Sequence, residues 1–361
     1  MIHRTSSVKN KIKSAFFSVL FFTILPSFSI GTEIEETISV PIMHQVKTVI
    51  HEYFESDLEK IQITLLTGGY SATSIRLDLA DKSYVLRVIS ELEPSYRVNT
   101  ELYAMKKASE AGIAPTIHWI SIDGHSILMD YISGGTLTIE CSKKPEVIAN
   151  IADLLRKVHE LPKNPFNAPS FKEHMEKFYM KYSQGSNNSE IWETAISIIR
   201  QGSAELQKLE SPSVNTHGDL SPRNILVSLN TLYFIDWSEE MYTEPFLDLG
   251  YFSILMDYSP REENLLLKNY LLRNPTINEK KRFCIAKKMN FGRLALGGLY
   301  IGNKLCTAKQ DVNSSPYEVK EWSYYAKAFA NNDDSLTSQF FWNLAKAAIE
   351  SANAIDVHNI N

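Results

Sequence analysis

The run T-H-G-D-L-S-P-R-N-I-L-V, Thr216 to Val227, followed by Y-F-I-D-W, Tyr233 to Trp237, constrains this chain more than any other stretch. It spaces an aspartate (Asp219), an asparagine five positions on (Asn224) and a second aspartate (Asp236) around two short apolar runs. Gly218 permits a tight backbone path, Pro222 stiffens the loop, and a turn around Leu229-Asn230 joins I-L-V to L-Y-F-I. Two such strands form a hairpin that places Asn224 and Asp236 near each other at one end. Hard oxygen ligands converging there suit magnesium, which keeps its waters and takes phosphate oxygens for the rest. Phosphoryl transfer from a nucleotide needs this set of side chains. One carboxylate accepts or orients the proton of the attacking hydroxyl, while an amide oxygen and a second carboxylate hold the cation. Any single element is equally at home in a polar surface turn beside an ordinary hairpin. The full string, with Asp248 beyond it, points to the chemistry.

The spacing fits H-x-D-x-x-x-x-N, the pattern of a kinase catalytic loop. H-G-D-x-x-x-x-N-I-L, then I-D-W and D-L-G, resembles the aminoglycoside phosphotransferase and choline kinase superfamily. These are small-molecule kinases with a protein-kinase-like fold, and the likeness covers most of the chain after about residue 45. It implies an α+β, two-lobed architecture: a small mixed-sheet N-lobe over 32–132 that binds ATP, and a mostly helical C-lobe over 133–351 that carries catalysis and the acceptor. It also implies ATP and Mg²⁺ as cofactors, Asp219 and Asn224 as catalytic residues, and Asn224 and Asp236 as metal ligands. His159 and His217 are expected to brace the catalytic loop, and Asp248 to organise it.

The N-lobe residues carry their own signals. I-T-L-L-T-G-G-Y-S-A-T-S-I-R-L-D-L, Ile63 to Leu79, reads as strand, glycine turn, strand. Gly68, Gly69 and Ser71 could bring backbone N–H groups close to phosphates, although most such pairs are plain hairpin turns. The family often has an asparagine where this chain has Thr73. Arg87, in the strand S-Y-V-L-R-V-I, stands where kinases place a phosphate-binding lysine and can fork onto phosphate or carboxylate oxygens. Glu101 lies in the first turn of the helical stretch Asn99 to Ala108 and could orient it. Asp123-Gly124 between alternating apolar runs is a hairpin signal. The second strand leads to Asp130, Ile132 and Gly134-Gly135, which resemble the segment linking the lobes, with backbone groups that would meet adenine.

The C-lobe reads as helical from Pro145, with Val147 to Leu161 at helix spacing. Trp237, Glu239, Glu240, Tyr242 and Glu244, with Tyr251 beyond, form a possible rim for a cationic acceptor, carboxylates for the ammonium and rings for a quaternary amine. Solvated glutamates and core aromatics are the plainer alternative. Trp322, Tyr324, Tyr325, Phe340, Phe341 and Trp342 read as lobe packing, and the tail after about Ala352 as frayed.

Composition bounds the rest. The 361 residues are enough for two lobes with real cores. A net charge of −5 argues against a general nucleic-acid binder. Cys141, Cys284 and Cys306 include no C-x-x-C, which leaves buried free thiols as the default. Residues 1–31 combine basic residues, the apolar run Ala15 to Leu25 and small residues after it, like a secretory leader too short to span a membrane stably. Export and an ATP requirement pull in opposite directions, toward delivery to a host cytosol or toward the chain's own cytoplasm. A small-molecule alcohol is the expected partner, with choline, ethanolamine or another amino alcohol first. An aminoglycoside, thiamine, a sugar or homoserine remain open, as does a secreted effector acting on a host protein.

Overall fold

The computed structural model describes residues 40–54, 61–66, 72–79, 82–91, 93–166, 168–186, 188–229, 231–306, 319–330 and 337–357. The leader and Gly68, Gly69 and Ser71 lie outside them. Among the described residues no helix is long and apolar enough to cross a membrane.

Helix α1 (Val40–Val49) runs on into a wider π turn at Ile50–Phe54 and covers one face of a five-stranded sheet. The strands are β1 (Gln62–Leu66), β2 (Ala72–Leu79), β3 (Lys82–Ile89), β4 (Ile117–Ile120) and β5 (Ser126–Asp130), in the order β1-β2-β3-β5-β4. Alternation explains the packing: Ile75 and Leu77 on β2 and Leu86 on β3 are fully buried against Val46 and Val49. The expectation of a mixed sheet gives way here, because every pairing is antiparallel. Hairpins generate this pattern. Helix α2 (Ser95–Glu110) delivers the chain to the far edge, and β5 then folds back between β4 and β3.

The large lobe is helical. A short α3 (Ile139–Ser142) precedes α4 (Pro145–His159), α5 (Phe171–Tyr182) and α6 (Ser189–Lys208). The later helices are α7 (Phe246–Leu255), α8 (Pro260–Leu271), α9 (Ile277–Leu305), α10 (Trp322–Ala330) and α11 (Ser338–Ala354). Capping boxes fix three of the starts: Ser170 with Glu173, Ser259 with Glu262 and Thr276 with Glu279. Helix α9 is the spine, packed against α6, α7 and α11. Its middle is buried nearly all round, as expected of a helix enclosed by others.

Three sequence expectations change in this lobe. The tail does not fray from Ala352: that residue is fully buried, and Val357 beyond the helix is 7% exposed. Apolar contacts to the core hold it there. Tyr324 is exposed, whereas Tyr325, Phe341 and Trp342 are buried. The cysteines are free and half-buried rather than buried.

Candidate active site

The candidate catalytic segment is threaded between small sheets. Strand β6 (Val214–Thr216) pairs with β9 (Met241–Thr243), and β7 (Ile225–Ser228) pairs with β8 (Thr231–Phe234). A 3₁₀ turn, Pro222–Asn224, feeds β7. Ile225 pairs with Phe234, and the Ile235 N–H donates to Asn224 O at 2.9 Å. The hairpin therefore brings Asn224 beside the residue preceding Asp236. Gly134 lets the interlobe segment lie on this hairpin, since a Cβ there would sit 1.5 Å from Val227 O. The Leu137 N–H donates to Ile225 O at 2.9 Å.

Asp219 is 1% exposed. Its Oδ2 accepts from Asn224 Nδ2 at 2.9 Å, and the same Nδ2 donates to the Asp219 carbonyl at 2.9 Å. Oδ1 makes no regular hydrogen bond, but the buried Tyr251 hydroxyl faces the carboxylate. Burial raises the Asp219 pKa to about 6, opposed by the Arg293 guanidinium and reinforced by Asp236 and Glu239. A carboxylate titrating near the working pH is a competent proton acceptor.

Asp236 adopts the left-handed conformation, with φ +63°. Its Oδ1 accepts from Ser238 Oγ at 2.8 Å and from Arg87 Nη2 at 3.2 Å. Arg87 also grips Glu101 Oε1 through Nε at 3.0 Å and Nη2 at 2.6 Å. Burial opposes the guanidinium charge, but Glu101 and Asp236 together drive its pKa above the ordinary arginine value. One buried arginine thus ties β3, α2 and the end of the β7–β8 hairpin together.

A second network holds the loop from below. Asp248 on α7 accepts from the His217 N–H at 2.8 Å and the Gly218 N–H at 3.0 Å. His159 Nε2 lies 3.1 Å from Asp248 Oδ2, and its Nδ1 lies 2.8 Å from the Tyr270 hydroxyl. Burial works against the Asp248 carboxylate, but His159 and the Gly218 amide hold its pKa below the usual range. Hydrogen bonds to charged groups of this kind contribute about 1.5–3 kcal/mol each. Burial lowers the His217 pKa, which favours the neutral ring. His217 Nε2 then donates to Ile235 O at 3.0 Å, leaving Nδ1 to accept the Asp219 N–H at 3.3 Å.

The residues expected at the acceptor rim are placed differently from one another. Trp237 is buried against the His217 ring, with centroids 4.6 Å apart. Lys163 covers the Tyr242 ring at 4.2 Å, and Arg293 covers that of Tyr251 at 4.6 Å. None of the three glutamates is solvated. Glu244 forms an ion pair with Arg282 at 2.7 Å. Glu239 lies 3.1 Å from His174 Nε2 and 3.5 Å from Arg97 Nη2. Glu240 accepts from Asn164 Nδ2, which also donates to Thr100 O on α2 at 3.0 Å. In the interlobe segment Asp130 pairs with His118 at 2.6 Å, and Ile132 follows β5.

Among the described residues Glu240 has no cationic partner to offset its burial, which raises its pKa from 4.5 to about 8 against the opposing Asn164 hydrogen bond. Such a group favours the fold most at pH below its unfolded value, and the contribution is lost as the pH rises through the folded value. Glu240→Gln is expected to raise Tm at pH 8.5 by about 2–6 °C and to leave Tm at pH 5 within about 1 °C. Thermal denaturation at the two pH values checks this, and an equal shift at both contradicts it.

Sequence reasoning missed Arg293, Arg97, His174 and Asn164. A signal existed for the first: between Met289 and Ile301, Arg293 is the lone charge in a mostly apolar helical run. The others sit on ordinary polar surfaces in the sequence, and only the fold brings them to the site.

A model of the Phosphotransferase enzyme family matches residues 62–276. A probable ethanolamine kinase of Arabidopsis thaliana is 24% identical over 274 residues, 68% of this chain and 72% of the relative. Among solved structures, an ethanolamine kinase of Plasmodium vivax superposes with a TM-score of 0.60 at 15% identity, covering 85% of this chain and 86% of that one. A choline kinase of Streptococcus pneumoniae gives 0.59 at 16% identity, over 86% and 99%. At these identities the structural likeness establishes a shared fold.

Proposed function

The chain belongs to the phosphotransferase enzyme family, and from that premise we propose that it moves the γ-phosphate of ATP onto a hydroxyl of a small molecule. One observation carries this reading: Arg87 on the small-lobe sheet binds Asp236, the hairpin backbone sets Asn224 beside Ile235, and Asn224 binds the buried, partly unsatisfied carboxylate of Asp219. Arg87, oriented by Glu101, contacts the phosphates. Backbone groups at Asp130 to Ile132 meet the adenine. Asp219 receives the proton of the acceptor hydroxyl as its oxygen bonds to the γ-phosphorus. The bond from that phosphorus to the bridging oxygen breaks, and ADP departs. Positioning and charge neutralisation supply most of the rate.

The donor set fits magnesium. The Asn224 amide oxygen and the Asp236 carboxylate are hard ligands, too few to cage a cation alone. Among the described residues no group of three or more His, Cys, Asp or Glu could hold a metal. The ion would therefore enter with the nucleotide, held by Asn224, Asp236 and phosphate oxygens, and would neutralise phosphate charge.

An amino alcohol is the acceptor class these residues and the relatives' names favour. One face of the Tyr242 ring carries Lys163, and one face of the Tyr251 ring carries Arg293. An amine that offers N–H donors to a carboxylate such as Glu239 therefore suits the site better than a quaternary ammonium. Aminoglycosides, thiamine, sugars and homoserine are the comparison set. Magnesium-dependent ADP release across these alcohols, with product mass, tests the reading. Phosphorylated ethanolamine is the expected product. Nucleotide binding without consumption under any acceptor contradicts the reading and favours a binding scaffold.

A further inference from the structure

Building on this phosphotransferase reading, we propose that Arg293 is a positioning residue for phosphoryl transfer, fixing from α9 both the peptide that precedes Asp219 and the tyrosine that faces it. Arg293 lies 75 residues from the loop it serves and is 4% exposed. Its Nη1 donates to the Gly218 carbonyl. The same glycine donates its N–H to Asp248 Oδ1. Both backbone polar groups of Gly218 are therefore held by buried side chains of opposite charge. The glycine itself has φ +81°, and a Cβ there would sit 1.9 Å from Glu239 O. The peptide leading into Asp219 has no room to swing.

A neutral amide could satisfy one carbonyl at far smaller desolvation cost than a guanidinium. The charge thus has further work in its surroundings. The guanidinium lies over the Tyr251 ring, 4.6 Å from its centroid, and interacts electrostatically with Asp219, Glu239 and Asp248. Tyr251 is 1% exposed, and its hydroxyl faces the Asp219 carboxylate on which Asn224 holds the other oxygen. Arg293 thereby sets one wall of the space around Asp219, and Asn224 sets another. Earlier in α9, Asn290 sits three positions before Arg293 and donates to Leu247 O at 2.8 Å, next to Asp248. One turn of α9 therefore registers both the loop and its brace.

A residue that only pinned α9 would act on stability alone. A positioning residue separates turnover from nucleotide binding, because Arg87 and Asp236 do not touch it. Arg293→Gln and Arg293→Lys are compared with the unmodified enzyme, with ethanolamine as the acceptor probe. In the Gln variant kcat is expected to fall about 30- to 300-fold and the Mg·ADP Kd to stay within about threefold. Lys, which keeps the charge, is expected to recover kcat to within about tenfold of the unmodified enzyme. Deuterium uptake is expected to rise over 216–224 and to stay unchanged along α9. A Gln variant with kcat within about threefold of normal, or unaltered uptake over 216–224, overturns the proposal. Should the Gln variant not fold, Tyr251→Phe replaces it, since the ring platform survives and the hydroxyl is lost. An unchanged kcat in that variant overturns the proposal equally. Absence of turnover in the unmodified enzyme with every acceptor rejects the phosphotransferase reading itself and is recognisable because it precedes any substitution. Uptake over 216–224 then decides the loop-positioning claim alone.

Discussion

Asp219→Asn is expected to lower kcat by about 10²- to 10⁴-fold, the share of a positioned general base, while the protein stays folded and becomes more stable. The asparagine is isosteric, and its amide oxygen can still accept from Asn224 Nδ2, which now meets Oδ2 at 2.9 Å. The stability gain follows from linkage. Burial raises the Asp219 pKa from 3.8 to about 6. A carboxyl shifted upward favours the fold most when protonated, so its contribution is lost as the pH rises from below 4 through 6. At pH 7.5 the ionised form disfavours the fold by up to about 3 kcal/mol, and a neutral amide removes that burden. Steady-state kinetics and thermal denaturation at pH 7.5 read both effects. Near-normal turnover excludes Asp219 as the base. Lost turnover together with a lowered Tm points instead to a damaged loop.

Asp236→Asn is expected to reduce kcat/KM for MgATP by about 10³-fold, equivalent to roughly 4 kcal/mol of transition-state stabilisation. The substitution is clean because Asp236 has φ +63°, and asparagine is one of the few residues that adopts this region readily. Alanine would confuse lost charge with backbone strain. Arg87 keeps Glu101 as its partner at 2.6 Å, so the small lobe is not left with an uncompensated buried cation. A fall in nucleotide affinity in magnesium, with little change in its absence, identifies the loss with the cation. Equal losses with and without magnesium assign Asp236 to Arg87 alone.

The parts of the site legible in the sequence are those written in local spacing. Asp219, Asn224 and Asp236 are separated by a loop and one hairpin, and the Ile225–Phe234 pairing follows from two apolar runs and a turn. Arg87 with Glu101 was also within reach, because a strand followed by a helix returns the chain to the same edge. The Asp248 brace came through the family likeness. The proposed acceptor side was not legible for the opposite reason. Arg97, His174, Asn164 and Arg293 reach it from α2, α5, a loop and α9, and no short pattern encodes such convergence. The glutamates misled because E-E after I-D-W looks solvated, whereas Arg97, His174, Asn164 and Arg282 bury and partner them. The antiparallel sheet escaped because strand order depends on where α2 delivers the chain.

A crystal structure grown with magnesium and a non-hydrolysable ATP analogue is the most direct test of the three-residue site. The cation is expected on the Asn224 amide oxygen and an Asp236 carboxylate oxygen, with Arg87 on the phosphates and the terminal phosphate facing Asp219. A nucleotide bound away from the hairpin, or a cation held by other side chains with Asp219 turned from the terminal phosphate, would contradict it.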